Sequence, residues 1–145
     1  MFKKILIISG PNLNLLGERE KKIYGSLTLK DLNKRLTKYV LKKKASISFF
    51  QSNNESDIIN KIHKARKTED AIIINAAAFT HSSIAILDAL KTFEGLIYEV
   101  HISNIYRREQ YRRKSYISEA SKGVICGLGA LGYELAIDAI LQKKK

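Results

Sequence analysis

Four short apolar runs constrain this chain more than any other feature of it. ILIIS (5–9), AIIINA (71–76), LIYEVHI (96–102) and GVICGL (123–128) read as strands buried on both faces. A fifth run, SISFFQS (46–52), alternates apolar and polar residues and reads as an edge strand. Helical patterns lie between them. Leu29, Leu32, Leu36, Tyr39 and Val40 recur at helical spacing, with Thr28 placed to cap the first turn and Asp31 three residues on. Ile58, Ile59, Ile62 and Ala65 make a second face, and Ile84, Leu87 and Leu90 a third. Residues 130–141 make a closing apolar helix, led in by Gly127, Gly129 and Gly132.

Strands that alternate with helices require a parallel sheet with right-handed crossovers. The expectation is an α/β fold: a flavodoxin-like, doubly wound, five-stranded parallel sheet ordered 2-1-3-4-5 in a three-layer α/β/α arrangement. No repeat, low-complexity linker or composition shift divides the chain, so residues 1–145 read as a single domain. No apolar run approaches the roughly 20 residues of a membrane span. MFKKILIISG has lysines before an apolar stretch, yet lacks a small-residue cleavage pattern and reads as the first strand rather than a signal peptide. The lone Cys126 cannot form an internal disulfide, which suits a reducing cytoplasm.

The formal net charge of +12 raises the question of nucleic acid. Most of the basic residues are lysines in short runs such as 42–44 and 143–145, the signature of solvated faces and chain ends. The arginines are more selective, because four of the seven fall between Arg107 and Arg113.

In an open parallel sheet, ligands bind beyond the carboxyl ends of the strands. The first strand runs into Pro11-Asn12 and then into a glycine-poor loop carrying Arg19 and Tyr24. The third runs into Asn75 and then His81, and the fourth ends in Glu99, His101, Ser103 and Asn104 before the arginine cluster. Three strand ends thus direct polar groups to one edge. Each also has a plain structural reading. Asn12 suits a turn, Asn75 a strand end bonded to local backbone, and His81 a helix cap. Glu99 and His101 share a strand face and suit a buried polar pair, and the arginines a solvated surface.

The residue types narrow the chemistry. The three histidines are far apart and no cysteine pair or carboxylate spacing suits a metal. There is no P-loop, no dinucleotide fingerprint, and no lysine at an apolar strand end for a Schiff base. Acid–base chemistry on an oxygenated anionic small molecule remains. A guanidinium near a tyrosine favours the phenolate, which makes Arg19 and Tyr24 a candidate base. A histidine paired with a carboxylate is held in one tautomer and can donate a proton, which makes His101 with Glu99 a candidate acid.

GPNLNLLGERE…IYG, QSNNESDII, NAAAFTHSSIAILDAL, EVHISNIYRREQYRRKSY and GVICGLGALGYELA together resemble the type II 3-dehydroquinate dehydratases, in order and spacing, from about residue 5 to residue 141. The resemblance implies the third step of the shikimate pathway, loss of water from 3-dehydroquinate to give 3-dehydroshikimate by anti elimination through an enolate. It implies neither metal nor organic cofactor. It makes Tyr24 the base at C2, activated by Arg19, and His101 the acid toward the C1 hydroxyl, oriented by Glu99. Asn12 would stabilise the enolate, Asn75, His81 and Arg112 would hold substrate hydroxyls, and the backbone at Ile102 and Ser103 would receive the carboxylate. Asp88 would reach a neighbouring subunit's site in a homododecamer of four trimers, with no nucleic-acid or membrane partner.

Some positions depart from the family pattern. Lys21 and Lys22 follow the loop's Arg-Glu where proline is common, Leu87 precedes Asp88 where arginine is frequent, and Asn54 and Ser56 replace histidine and glycine. Two other readings stay open on the residues alone. One is a non-catalytic anion-binding module using the Arg107–Arg113 cluster; the other is a nucleic-acid binder using the interleaved YRREQYRR.

Overall fold

A computed structural model describes residues 2–142, so the terminal lysine run 143–145 lies outside the described residues. The strands are β1 (Lys3–Ser9), β2 (Ala45–Gln51), β3 (Ala71–Asn75), β4 (Leu96–His101) and β5 (Gly123–Cys126). The helices are α1 (Lys21–Tyr24), α2 (Leu29–Val40), α3 (Glu55–Thr68), α4 (Ile84–Lys91) and α5 (Leu131–Leu141). All strand pairs are parallel, in the order β2-β1-β3-β4-β5. This is the expected doubly wound sheet, and the edge position of β2 matches its alternating sequence.

The pleat sends alternate side chains of each strand to opposite layers. Ile5 and Ile7 of β1, Ile73 of β3 and Val100 of β4 pack against Leu32, Leu36 and Val40 of α2 and Tyr133, Ala136 and Ile137 of α5. Leu6, Ile8, Ile72, Ile74 and Ile97 pack against Ile58 and Ile62 of α3 and Ile86 and Leu90 of α4. Two cores thus sandwich the sheet. Ile5, Leu6, Ile7 and Ile8 are all buried, each contributing about 1.5–3 kcal/mol relative to an exposed side chain.

Local chemistry fixes the helix starts. Thr28 and Asp31 form the expected capping box, the Thr28 hydroxyl accepting from Asp31 N–H while the Asp31 carboxylate accepts from Thr28 N–H. Asn54 caps α3 by accepting from Ser56 and Asp57 N–H. The residue that caps α4 is Ser83, whose Oγ accepts from Ile86 N–H at 2.9 Å. His81 instead ends the preceding 3-10 turn, Ala77–His81, so its cap reading is corrected.

Two burial expectations are also corrected. β5 pairs only with β4 and is the second edge, so Val124 stands 42% exposed. On α4 the buried face is Ile86, Leu87, Ala89 and Leu90, while Ile84 is exposed because the first helical residue points away from the sheet. Among the described residues, no helix is long and apolar enough to cross a membrane.

Candidate active site

The carboxyl ends of β1, β3 and β4 meet because their register brings Ser9 level with Asn75, and Ile74 level with Glu99. The chain leaves β1 through Gly10, whose N–H donates to the Asn75 carbonyl at 2.8 Å. A Cβ on Gly10 would sit 2.3 Å from the Ala76 carbonyl oxygen, so only glycine lets the β1 and β3 exits run this close. Asn12 then adopts φ 69°, a left-handed conformation that asparagine tolerates better than most side chains. Its N–H donates to Asn53 Oδ1 at 2.9 Å, and Gln51 Nε2 donates to the same oxygen at 3.1 Å and to the Gly10 carbonyl at 3.2 Å. The turn after β2 therefore braces the Asn12 loop. This role of Asn53 has no local signature in the sequence.

Past Asn12 the chain turns through Glu20 (φ 44°) into the single turn of α1, which Gly25 closes at φ 74°. Tyr24 is half-buried, and its hydroxyl oxygen accepts a 2.7 Å hydrogen bond from Arg108 Nη1. Two guanidiniums flank its ring. Arg108 Cζ lies 5.3 Å from the ring centroid and Arg19 Cζ 5.6 Å. Arg19 is half exposed and pairs with Glu20 at 3.2 Å, so the contact to the phenol oxygen itself belongs to Arg108. Arg108 is 10% exposed, and its Nε is buried with no hydrogen-bond partner among the described residues.

At the end of β3, Asn75 is buried. Its Oδ1 accepts from Ala77 N–H at 3.2 Å, and its Nδ2 donates to the Tyr133 hydroxyl at 3.3 Å. Tyr133 on α5 is fully buried, and burial pushes its hydroxyl pKa up to about 12. The plain reading of Asn75, a strand end bonded to local backbone, is thus partly realised through Ala77, and α5 supplies the other half. His81 donates from Nδ1 to the Lys114 carbonyl at 2.7 Å, which fixes a tautomer with its Nε2 unprotonated when the ring is neutral. Burial lowers its pKa, the Lys114 carbonyl opposing, so the ring favours its neutral form.

On β4, Glu99 and His101 share one face, as the alternation requires, and His101 Nε2 lies 2.6 Å from Glu99 Oε2. Both are buried. Burial opposes charge on Glu99, but hydrogen bonds from His101, Ser115 and Ser118 outweigh it and hold its pKa below the usual carboxylate range. The His101 ring stacks on that of His81, with centroids 6.4 Å apart.

These groups surround one cavity of about 130 Å³, lined by Asn12, Tyr24, Asn75, His81, His101 and Ser103. Arg19, Ile102, Arg108 and Arg112 also face it. Glu99 stands behind His101, outside the lining. Asp88 is exposed on α4 and lies outside this cavity. The Arg107–Arg113 cluster is no uniform surface: Arg108 and Arg112 turn into the site, Arg112 braced by Glu109 at 2.8 Å, while Arg107 and Arg113 stay exposed. Three guanidiniums around a small cavity, with a neutral-leaning His81, favour an anion. A phenol bonded to a guanidinium and a carboxylate-paired imidazole line the same cavity, so it can remove one proton and deliver another.

The sequence profile of the family described as dehydroquinase class II matches residues 3–141. A 3-dehydroquinate dehydratase of Clostridium botulinum strain Hall is 53% identical over 137 residues, covering 94% of this chain and 93% of that protein. One from Actinobacillus pleuropneumoniae serotype 5b is 51% identical over 136 residues, covering 94% and 88%. The crystal structure of type II dehydroquinase from Butyrivibrio crossotus superposes with a TM-score of 0.95 at 43% identity, covering 97% and 99% of the two chains. A doubly wound sheet with an acid–base pocket at its carboxyl edge is the class defined by the geometry. The chain belongs to the class II dehydroquinase family.

Proposed function

We propose that this chain is a hydro-lyase that converts 3-dehydroquinate to 3-dehydroshikimate and water, the third step of the shikimate pathway. The observation that carries this reading is the pairing in one cavity of Tyr24, bonded to Arg108, with His101, bonded to Glu99. Membership of the family supports the substrate.

Tyr24 acts as the base. Its oxygen, the atom on which negative charge would develop, accepts an N–H hydrogen bond from Arg108. It removes the C2 proton of 3-dehydroquinate and leaves an enolate at the adjacent ketone. Arg19 lies over the Tyr24 ring and adds to the positive field, while Arg108 makes the direct contact. Asn12, in a left-handed turn at the cavity wall, helps stabilise the enolate through an ordered water, an oxyanion-type role. His101 then protonates the C1 hydroxyl as it leaves, oriented by Glu99. Proton removal and hydroxyl departure come from opposite faces, an anti elimination, and such paired acid–base assistance is worth about 10²–10⁴ per group.

Asn75, His81 and Arg112 hold the substrate hydroxyls, and Ile102 and Ser103, just past the end of β4, receive the carboxylate. The α1 loop closes over the substrate and excludes water. Residues 1–145 act as one dehydratase domain and assemble as a homododecamer of four trimers, in which Asp88, outside its own chain's cavity, serves the neighbouring site. A cytoplasmic location fits the single Cys126.

The test is direct. Purified protein given 3-dehydroquinate is followed by the ultraviolet absorbance of the conjugated enone product, before and after borohydride treatment with substrate present. Borohydride-resistant growth of absorbance supports an elimination that uses no lysine Schiff base. Absorbance growth that borohydride abolishes overturns the mechanism, and no growth from folded protein overturns the activity.

A further inference from the structure

Two serines outside the cavity converge on the carboxylate that orients His101. Ser115 Oγ and Ser118 Oγ each donate to Glu99 Oε1 at 2.8 Å, while Glu99 Oε2 meets His101 Nε2 at 2.6 Å. The Ser115 hydroxyl is also tied to the backbone of its own turn. Its oxygen already accepts the Ser118 N–H at 3.1 Å, so its own proton is free to point at Glu99. Two hydroxyl donors on one oxygen require an acceptor there, and a deprotonated carboxylate accepts on both oxygens. The same hydrogen bonds hold the Glu99 pKa below its ordinary range, so the carboxylate is the favoured form and the proton shared with Glu99 Oε2 sits on His101 Nε2. The remaining ring nitrogen, Nδ1, is the one available to meet a ligand in the cavity.

We infer that Ser115 and Ser118 are positioning residues for proton donation: they hold Glu99 as an oriented carboxylate, which keeps His101 Nε2–H inward, so that the acid is the imidazolium, whose Nδ1–H gives its proton to the leaving hydroxyl and leaves the neutral Nε2–H ring. The inference rests on His101 being the acid of the proposed reaction. Both serines lie in or beside the 3-10 turn Ile117–Ala120, whose Ile117 is buried in the α3–α4 core, so the turn is anchored by packing and not by the site. Other titratable groups surround the pair. Cys126 of β5 lies in register with His101, with its thiol pKa raised by burial and by the Glu99 charge; His81 stacks on the His101 ring, and Arg112 lines the same cavity. None of them donates a hydrogen bond to Glu99, and among the described residues the side chains bonded to it are the two serines and His101.

The test compares the full-length protein with Ser115→Ala, Ser118→Ala and the double variant. Histidine-ring ¹⁵N solid-state spectra of sedimented protein, with the His101 signals assigned by their loss in His101→Gln, report which ring nitrogen is protonated. Wild type shows the Nε2–H tautomer above neutral pH. In the double variant the tautomers mix. There kcat falls by about tenfold with KM changed less than twofold, and the acidic limb of the kcat profile moves toward neutral pH. The direction follows from linkage: removing donors makes Glu99 easier to protonate, so activity that needs its charge is lost at higher pH as acid is added. Ser118→Thr, which keeps a hydroxyl, restores most of the loss. If the double variant does not fold, Ser118→Ala alone, which leaves the Ser115 bond, carries the test with a smaller shift in the same direction. An unmoved limb and tautomer in an active, folded variant overturn the inference. A wild type that shows the tautomer but no dehydration overturns the proposed activity and leaves the placement of the ring standing.

Discussion

Arg108 and Tyr24, 84 positions apart, meet through a 2.7 Å hydrogen bond from Nη1 to the phenol oxygen. That bond joins the loop after β1 to the turn after β4 and places positive charge where a phenolate would form. Arg108→Ala is expected to lower kcat by about 10²–10³, in the range of removing one charge-stabilising donor. Arg19→Ala, which removes a half-exposed partner over the ring, should cost less. Steady-state kinetics on both variants decides it. A larger loss from Arg19→Ala would contradict the assignment of the direct contact.

Tyr133→Phe should destabilise the fold through Asn75. The substitution keeps the buried ring but leaves Asn75 Nδ2 without its acceptor, at a cost of about 1–3 kcal/mol. Chemical denaturation should show an earlier midpoint with an unchanged slope. An unchanged midpoint would mean that the amide finds another partner.

Glu99→Gln should cost stability at neutral pH and progressively less in acid. The folded carboxylate has a pKa below its ordinary 4.5, so its contribution is fully present above that value and disappears as pH falls through the lower folded one. Denaturation midpoints of wild type and variant should converge as pH falls below 4.5 and through the lower folded value. A gap that stays constant over that window would show that Glu99 is not held ionised.

Gly10→Ala should be among the most disruptive small substitutions in the chain. The added methyl would meet the Ala76 carbonyl oxygen at 2.3 Å, and backbone must move to relieve it. Overpacking of this kind costs about 1–3 kcal/mol. Since Gly10 sets the start of the Asn12 loop, turnover should fall as well as melting temperature. A variant that melts and turns over like wild type would contradict the close approach of the β1 and β3 exits.

Period and capping carried most of the fold into the sequence. The strands and the Thr28–Asp31 capping box are local patterns, and local patterns survive translation into structure. Burial at the margins is not local. Val124 is exposed because β5 ends the sheet, and Ile84 because α4 begins at Ser83, facts set by topology and by a cap. The site divides in the same way. Glu99 and His101 could be paired from their spacing on one strand, and the loop from Asn12 to Tyr24 could be placed by the end of β1. Which of four clustered arginines turns inward depends on a contact between distant loops, and no spacing rule singles out Arg108. The Asn53 and Tyr133 contacts have the same origin. Each joins groups from separate elements that meet only once the sheet has formed.

The central claim is that Tyr24 takes a proton from bound substrate. Its most direct test is kcat of Tyr24→Phe on 3-dehydroquinate, with melting and product-binding controls to show that fold and cavity persist. The account predicts a fall of at least about 10³, within the span of losing a general base, with product affinity kept. Turnover within tenfold of wild type would contradict it and assign the proton to another group.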